Sequence, residues 1–109
     1  MRELKESENF NEVLKENKVV LVDFSATWCG PCKKLTPMLE LLSEEFRKAG
    51  KSVLILKVDV DNFQSISQDH NISCLPTMIL YINGKLTEYR FESLPKKIDN
   101  IKDIIEKNL

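Results

Sequence analysis

The chain has 109 residues, of which 42% are hydrophobic and 30% are charged, and its 16 basic and 17 acidic side chains give a formal net charge of -1. This composition is typical of a globular protein with its own core and argues against disorder. The balanced charge, with no basic run and no glycine-rich phosphate loop, indicates no nucleic-acid partner. No apolar stretch is long enough for a membrane span. We expect one domain over residues 1–109, without a membrane association.

The cysteine count bears on the compartment. Three cysteines are an odd number, which does not fit a framework of structural disulfides and fits redox-active thiols in a reducing compartment. The first residues, Met1 to Glu6, are mostly charged and lack the apolar core of a signal peptide. We therefore expect a cytoplasmic protein, although a chain whose leader had been removed would look the same.

The beginning of the chain predicts a strand, a helix and a second strand. Residues 2–5 are expected to form a short strand. Asn9 is placed to cap a helix, and Glu12, three residues later, completes a pair that resembles a capping box; this helix should end near Glu16. The run from Val19 to Ser25 starts with four apolar residues in succession, which indicates a strand buried on both faces.

A long amphipathic helix is expected next, from about Pro31 to a stop at Gly50. Pro37 lies inside it, removes one backbone donor and should kink the helix. A single apolar stripe with helical spacing should face the core: Leu35, Met38, Leu39, Leu42 and Phe46.

The second half of the chain continues the alternation. Val53 to Asp59 predicts another central strand. Asp61 is expected to cap a short helix that runs through His70, and Asn71 to end it in the left-handed conformation.

Two strands and a helix complete the chain. Thr77 to Ile82 and Lys85 to Phe91 flank Asn83-Gly84, the strongest short signal for a hairpin, so these strands are antiparallel. The alternation followed by a hairpin predicts an α/β protein with a mixed sheet covered on both faces. The last helix should pack one apolar face on the sheet: Leu94, Ile98, Ile101 and Ile105.

The chemistry is expected in the five residues from Trp28 to Cys32, Trp-Cys-Gly-Pro-Cys, which follow the buried strand and open the long helix. Two cysteines separated by two residues can close a small disulfide ring. When the first lies at a helix N-terminus, free backbone N–H groups and the helix dipole stabilise its thiolate. The pattern therefore favours a nucleophilic thiol.

A zinc site is the alternative for this pair, because zinc ligands use the same spacing. Cys29, Cys32, His70 and Cys74 form C-x2-C and H-x3-C, which on paper resembles a Cys3His ligand set. For His70 alone, a partly exposed residue at a helix end is the simpler interpretation, and a pH-sensing role is the other.

The five residues resemble the active site of the thioredoxin family in its form with Gly-Pro between the cysteines. The likeness extends to Val22-Asp23-Phe24, to Lys33 and to Leu75-Pro76-Thr77. The resemblance implies the thioredoxin fold, a central mixed five-stranded sheet flanked by four helices, with the first strand at one edge and the hairpin at the other.

The resemblance also implies a protein-disulfide reductase that carries electrons for cell redox homeostasis. Cys29 would attack a target disulfide, and Cys32 would resolve the mixed disulfide. Gly30 and Pro31, between them, accompany the reducing members of the family. These members have a lowered cysteine pKa and a reducing potential, so the resemblance implies the same properties for this pair.

Asp23 interrupts the buried strand, where a carboxylate is costly to ionise and its pKa should rise. The resemblance implies that it relays a proton to Cys32 and that Lys57 approaches it. The alternatives are an Asp23 kept for structure or placed at a fraying strand end, and a Lys57 that merely extends to solvent.

The same resemblance implies a substrate-binding surface. Pro76 would follow a cis peptide bond and leave the backbone of Leu75 free to pair with an extended substrate. Trp28 would be a partly exposed contact for partners. The full set of candidates is Trp28, Gly30, Pro31, Leu75, Pro76, Thr77 and Cys74.

Two features are specific to this chain. Cys74 should lie at the rim of the binding surface, either as an inert side chain or as a thiol open to regulatory oxidation or to a disulfide with a second copy. Phe91-Glu92-Ser93 stands where the family usually has a glycine, and its bulk and charge are expected to restrict the range of partners.

The resemblance implies no bound cofactor and electrons that come from NADPH through a thioredoxin reductase. The usual clients of the family are peroxiredoxins, ribonucleotide reductase and methionine sulfoxide reductases. We expect a monomer, or a dimer linked through Cys74. The alternatives are a redox-switched binding module and a disulfide isomerase-like or oxidising member with restricted partners.

Overall fold

The computed structural model describes residues 1–109. A five-stranded sheet has the order β1-β3-β2-β4-β5. The first three of these strands are parallel, whereas β4 is antiparallel to β2 and β5 is antiparallel to β4. The elements are β1 (Arg2–Glu3), α1 (Phe10–Glu16), β2 (Val19–Ser25), α2 (Gly30–Lys48), β3 (Val53–Asp59), α3 (Gln64–Asp69), β4 (Thr77–Ile82), β5 (Lys85–Phe91) and α4 (Asp99–Lys107). The expected mixed sheet, with β1 at one edge and the hairpin at the other, is confirmed.

Strand β2 lies at the centre of the sheet, and all seven of its residues are buried. Because successive side chains of a strand point to opposite faces, it contributes to two separate cores. Val20, Val22 and Phe24 pack on the side of α1. Val19 and Leu21 pack on the opposite side, among the apolar faces of α2 and α4. The strand end that leads to the cysteines is therefore fixed from both faces.

The helix that carries the cysteines begins at Gly30, one residue before the expected start, and continues through Pro37 to Lys48. Cys29 is its N-cap. A proline inside a helix leaves a carbonyl without its usual donor. For Pro37 this is the carbonyl of Lys33, four positions earlier; the hydroxyl of Thr36 donates to a different carbonyl, that of Cys32, at 3.1 Å. The kink at Pro37 stays a prediction.

Local turn and cap signals gave mixed results. The carboxamide oxygen of Asn9 accepts a hydrogen bond from the N–H of Glu12 at 3.0 Å, so this N-cap is confirmed. Asn83 and Gly84 both have positive φ, 52° and 75°, as a tight hairpin turn requires. Asn71, with φ of 53°, ends the α3 region as expected. The cap assigned to Asp61 is wrong, because α3 begins at Gln64 and has no side-chain cap.

The termini of the fold also differ from expectation. Strand β1 covers only Arg2–Glu3, and α4 begins at Asp99, so Leu94 and Ile98 precede the helix. These two side chains still pack against the core beside α2. None of the four helices combines the length and the apolar character that crossing a bilayer requires.

Candidate active site

Cys29 and Cys32 form a disulfide at the N-terminus of α2, with their Cα atoms 5.3 Å apart. The Sγ atom of Cys29 accepts a hydrogen bond from the backbone N–H of Cys32 at 3.2 Å, the position that a capping oxygen normally takes. Cys29 is 5% exposed and Cys32 is 1% exposed. The first sulfur therefore has both a backbone donor and the better access to a partner.

The two residues between the cysteines suit the start of a helix. Gly30 is exposed, and a Cβ built on it would meet no other heavy atom within 4 Å. Pro31 occupies the first turn, where a missing N–H removes no helical hydrogen bond. Both residues line the groove beside the disulfide.

Asp23 is fully buried in β2, and neither of its carboxyl oxygens has a hydrogen-bond partner within the chain. Burial raises the pKa of Asp23 to about 7, and the positive charge of Lys57 opposes part of this rise. Lys57 is the register neighbour of Asp23 on β3, but the two charged groups form no ion pair within 4 Å. The raised pKa expected for Asp23 is thus confirmed, whereas Lys57 acts from the adjacent strand without direct contact.

Trp28 stands beside the disulfide with 68% of its surface exposed, as expected. Its indole N–H donates to the carboxylate of Asp61 at 2.9 Å. The N–H of Asp61 in turn donates to a carboxylate oxygen of Asp59 at 2.8 Å. Asp61, which sequence patterns assigned to a helix cap, therefore orients the tryptophan; no local signal links two residues that are 33 positions apart.

A groove of about 520 Å³ opens next to the disulfide and includes most of the predicted substrate-binding residues. The peptide bond between Leu75 and Pro76 is cis, as expected. No hydrogen bond within the chain involves the backbone N–H or C=O of Leu75. Residues on the groove wall include Trp28, Cys29, Gly30, Pro31, Cys74 and Leu75.

Pro76 and Thr77, unlike the other predicted substrate-binding residues, do not line the groove. Both are buried. The hydroxyl of Thr77 donates to the carbonyl of Cys74 at 2.8 Å, and its backbone lies opposite Phe24 in the sheet. These contacts fasten the loop that carries Leu75 to the end of β4.

Cys74 is a free, exposed thiol on this loop. Its Sγ lies 3.3 Å from the carbonyl oxygen of Glu92 and 3.5 Å from one of its carboxylate oxygens. Arg90 binds the other carboxylate oxygen at 3.1 Å and also donates to the carbonyls of His70 and Asn71. Glu92 therefore ties the Phe91-Glu92-Ser93 segment to the groove rim, a contact that the sequence did not reveal.

His70 does not approach the cysteine pair. One ring nitrogen lies 2.7 Å from the carbonyl oxygen of Ile66, and the other contacts the hydroxyl of Tyr81. The ring packs against Phe10 and Phe24 on the α1 side of the sheet. No three His, Cys, Asp or Glu side chains lie close enough to hold a metal ion, so the structure does not assemble the Cys3His set.

Comparison with known proteins agrees with this geometry. The sequence model of the thioredoxin family matches residues 2–107. Thioredoxin-1 of Saccharomyces cerevisiae is 40% identical over 83 residues, which are 76% of this chain and 77% of the yeast protein. The reduced thioredoxin pre-protein of Schistosoma mansoni superposes with a TM-score of 0.83 at 35% identity, covering 99% of this chain and 97% of that one.

A further structural match comes from yeast, in a structure concerned with the resolution of a mitochondrial 1-Cys peroxiredoxin by the glutathione and thioredoxin systems. It has a TM-score of 0.76 at 27% identity and covers 98% of this chain and 91% of that one. The family match, the relatives and the Cys29–Cys32 pair lead to one conclusion. The chain belongs to the thioredoxin family and is a thiol-disulfide oxidoreductase of the thioredoxin type, with disulfide reductase activity.

Proposed function

We propose that Cys29 is the nucleophile and Cys32 the resolving thiol in the reduction of client disulfides. The Cys29 thiolate attacks one client sulfur, the client disulfide breaks, and the second client sulfur leaves as a thiol. Cys32 then attacks Cys29, closes the intramolecular disulfide and releases the first client sulfur. Two electrons pass from the cysteine pair to the client. The observation that carries this assignment is the helix-capping position of the Cys29 sulfur, 3.2 Å from the N–H of Cys32.

Asp23 is the proposed base for the second step, because Cys32 must lose its proton before it attacks. A carboxyl group whose pKa is about 7 can both take and return a proton near neutral pH. Both of its oxygens are free of protein partners. Lys57 tunes this base from the neighbouring strand.

The groove is the proposed site for an extended client segment. The unpaired backbone groups of Leu75 can add the segment as a short strand, which is a common way for proteins to recognise peptides. Trp28, Gly30 and Pro31 also line the groove. Pro76 and Thr77 serve this surface by holding the loop, and Cys74 and Glu92 border it.

The electron source, the compartment and the clients are proposed from the membership of the family. We propose that no cofactor is bound, that NADPH supplies electrons through a thioredoxin reductase, and that the protein works as a monomer in the cytoplasm. Peroxiredoxins are proposed clients, and the matching yeast structure that concerns the resolution of a 1-Cys peroxiredoxin supports this choice. Ribonucleotide reductase and methionine sulfoxide reductases are the other proposed clients, and the exposed Cys74 is the proposed point of linkage between two copies.

Trapping tests the assignment of the two cysteines. Cys32→Ser should accumulate covalent adducts with disulfide-containing proteins, seen as bands that disappear on reduction, whereas Cys29→Ser should form none through this site. Cys74→Ser in both backgrounds removes adducts of the third thiol. Adducts on Cys32 in the Cys29→Ser protein would reverse the assignment. Tight client binding without turnover in the unaltered protein would favour a redox-switched binding module.

A further inference from the structure

The loop that is proposed to pair with the client has almost no backbone support of its own. We call residues 70–76, between α3 and β4, the docking loop. Ser73, Cys74 and Leu75 take part in none of the backbone–backbone hydrogen bonds outside the helices and strands, and they belong to no helix or strand. Side chains from other parts of the chain must therefore hold Leu75 beside the disulfide.

Arg90 is the side chain with the most contacts to this loop. One terminal nitrogen of its guanidinium group donates to the carbonyl of His70 at 2.7 Å, and the other donates to the carbonyl of Asn71 at 2.9 Å. The Nε atom donates to a carboxylate oxygen of Glu92 at 3.1 Å. All three nitrogens of the planar group are thus engaged, which fixes its orientation.

The two carbonyls that Arg90 binds lie where the chain leaves α3. The N–H groups of Asn71 and Ile72 close this end of the helix by donating to carbonyls inside it. No backbone N–H donates to the carbonyls of His70 and Asn71. A cation at the C-terminus of a helix is favourable, and the guanidinium group supplies both missing donors. Arg90 therefore fixes the first residues of the docking loop.

Glu92 extends the same support to the far part of the loop. Its carbonyl oxygen lies 3.3 Å from the Sγ atom of Cys74, and its second carboxylate oxygen lies 3.5 Å from that atom. Arg90 itself is anchored in the sheet, because it lies on β5 opposite Ile79 of β4. The pair of Arg90 and Glu92 thus contacts the loop on both sides of Ile72 and Ser73, directly before Leu75.

We propose that Arg90 is a positioning residue for client recognition: with Glu92, it holds the docking loop so that the free backbone groups of Leu75 meet an extended client segment. The inference rests on the proposed client site and extends it. A segment that is ordered before binding loses less conformational entropy when the client pairs with it. A small disulfide that reaches Cys29 without pairing with Leu75 gains nothing from this order. Arg90 therefore favours extended peptide clients over small disulfides.

The test compares two disulfides that release the same coloured thiolate. One is an extended peptide whose single cysteine is joined to thionitrobenzoate, and the other is dithiobis(nitrobenzoate). The reduced full-length protein is mixed with an excess of either. For Arg90→Met, the half-saturating peptide concentration should rise about tenfold, because charge-assisted bonds to the loop are lost. The rate at saturation, and the rate with the small disulfide, should stay unchanged.

A second readout reports the loop without any reaction. In the unaltered protein the NMR order parameter of the Leu75 amide should be about 0.85, and in Arg90→Met it should fall below about 0.6. Arg90→Lys keeps the charge but not the planar fork, so both values should lie between those of the other two proteins. The matched control is Arg47→Met, which removes an exposed ion pair with Glu44 on α2 and should change neither value.

Urea denaturation first establishes that each variant is folded, and Arg90→Lys serves for the same measurements if Arg90→Met does not fold. An equal loss of rate with both disulfides would overturn the inference, because it would mean a general structural role. An unchanged half-saturating concentration together with an unchanged order parameter at Leu75 would overturn it as well. An unaltered protein that reduces neither disulfide would instead overturn the proposed function.

Discussion

The apolar residues of β2 and its two polar residues, Asp23 and Ser25, are equally buried and affect the stability of the fold in opposite ways. From Val19 to Val22 every side chain is apolar and packs into one of the two cores. Full burial of such a side chain stabilises the fold by about 1.5–3 kcal/mol. Asp23 and Ser25 are just as buried, but their side-chain oxygens lack partners and destabilise it. The apolar side chains of β2 therefore offset the cost of burying Asp23 and Ser25 at the strand end that leads to the cysteines.

The largest effect on this comparison is expected from Leu21→Ala in the apolar half. Leu21 is fully buried, so its truncation should lower the free energy of unfolding by about 2–5 kcal/mol. Urea denaturation measures this loss. The pH midpoint of the resolving step should stay unchanged in Leu21→Ala. It should also stay unchanged in the control Val20→Ala, which truncates a buried side chain on the opposite face of β2. A loss of stability below about 1 kcal/mol would mean that this half does not support the strand.

Asp23→Asn should have the opposite effect on stability, and one that depends on pH. Because burial raises the folded-state pKa from 3.8 to about 7, the destabilisation is absent below pH 4, grows as the pH rises, and is complete above pH 7. The asparagine variant should therefore gain up to about 4 kcal/mol at pH 8 over the unaltered protein and little at pH 4. Urea denaturation across this range checks it. A difference that is the same at every pH would contradict the assignment.

Lys57→Met should have a smaller effect, on the pKa of Asp23. The ammonium group lowers the pKa of Asp23, so its removal should raise the midpoint of the carboxyl titration by roughly half a pH unit. Lys57→Arg keeps the charge and should leave the midpoint close to its original value. NMR titration of Asp23 separates the two variants, and a midpoint that stays unchanged or falls in Lys57→Met would show that the charge does not lower the pKa of Asp23.

A similarly small effect is expected outside β2, at the exposed hydrogen bond between Trp28 and Asp61. Trp28→Phe keeps an aromatic ring but removes the donor, and should lower stability by about 0.5–1.5 kcal/mol. Asp61→Asn in this background should add nothing further. A double-mutant cycle by urea denaturation measures the coupling, and a coupling near zero would mean that the bond does not hold the tryptophan.

The features that the sequence predicted well are encoded locally. The bounds of β2, β3, β4 and β5 follow from apolar runs and from the Asn83-Gly84 turn. The burial of Asp23 follows from its place in such a run. The disulfide at the start of α2 follows from a spacing of three residues.

The features that the sequence did not predict join distant residues through side chains. Trp28 and Asp61 are 33 positions apart, and Cys74 and Glu92 are 18 apart. Asp61 illustrates the difficulty, because an aspartate ahead of a short helix has the composition of a cap, and only the folded chain shows that its carboxylate faces the tryptophan. The partnerless hydroxyl of Ser25 likewise depends on what α2 and β3 place around it.

The reduction potential of the Cys29–Cys32 pair tests the central claim most directly. The protein is equilibrated with thiol buffers of known potential, and the exposed Trp28 beside the disulfide reports the fraction oxidised by its fluorescence. A reductase requires a stable intramolecular disulfide, so we predict a two-electron transition below about -200 mV. A potential at or above about -180 mV, where disulfide isomerases lie, would contradict the account and favour an isomerising or oxidising member of the family.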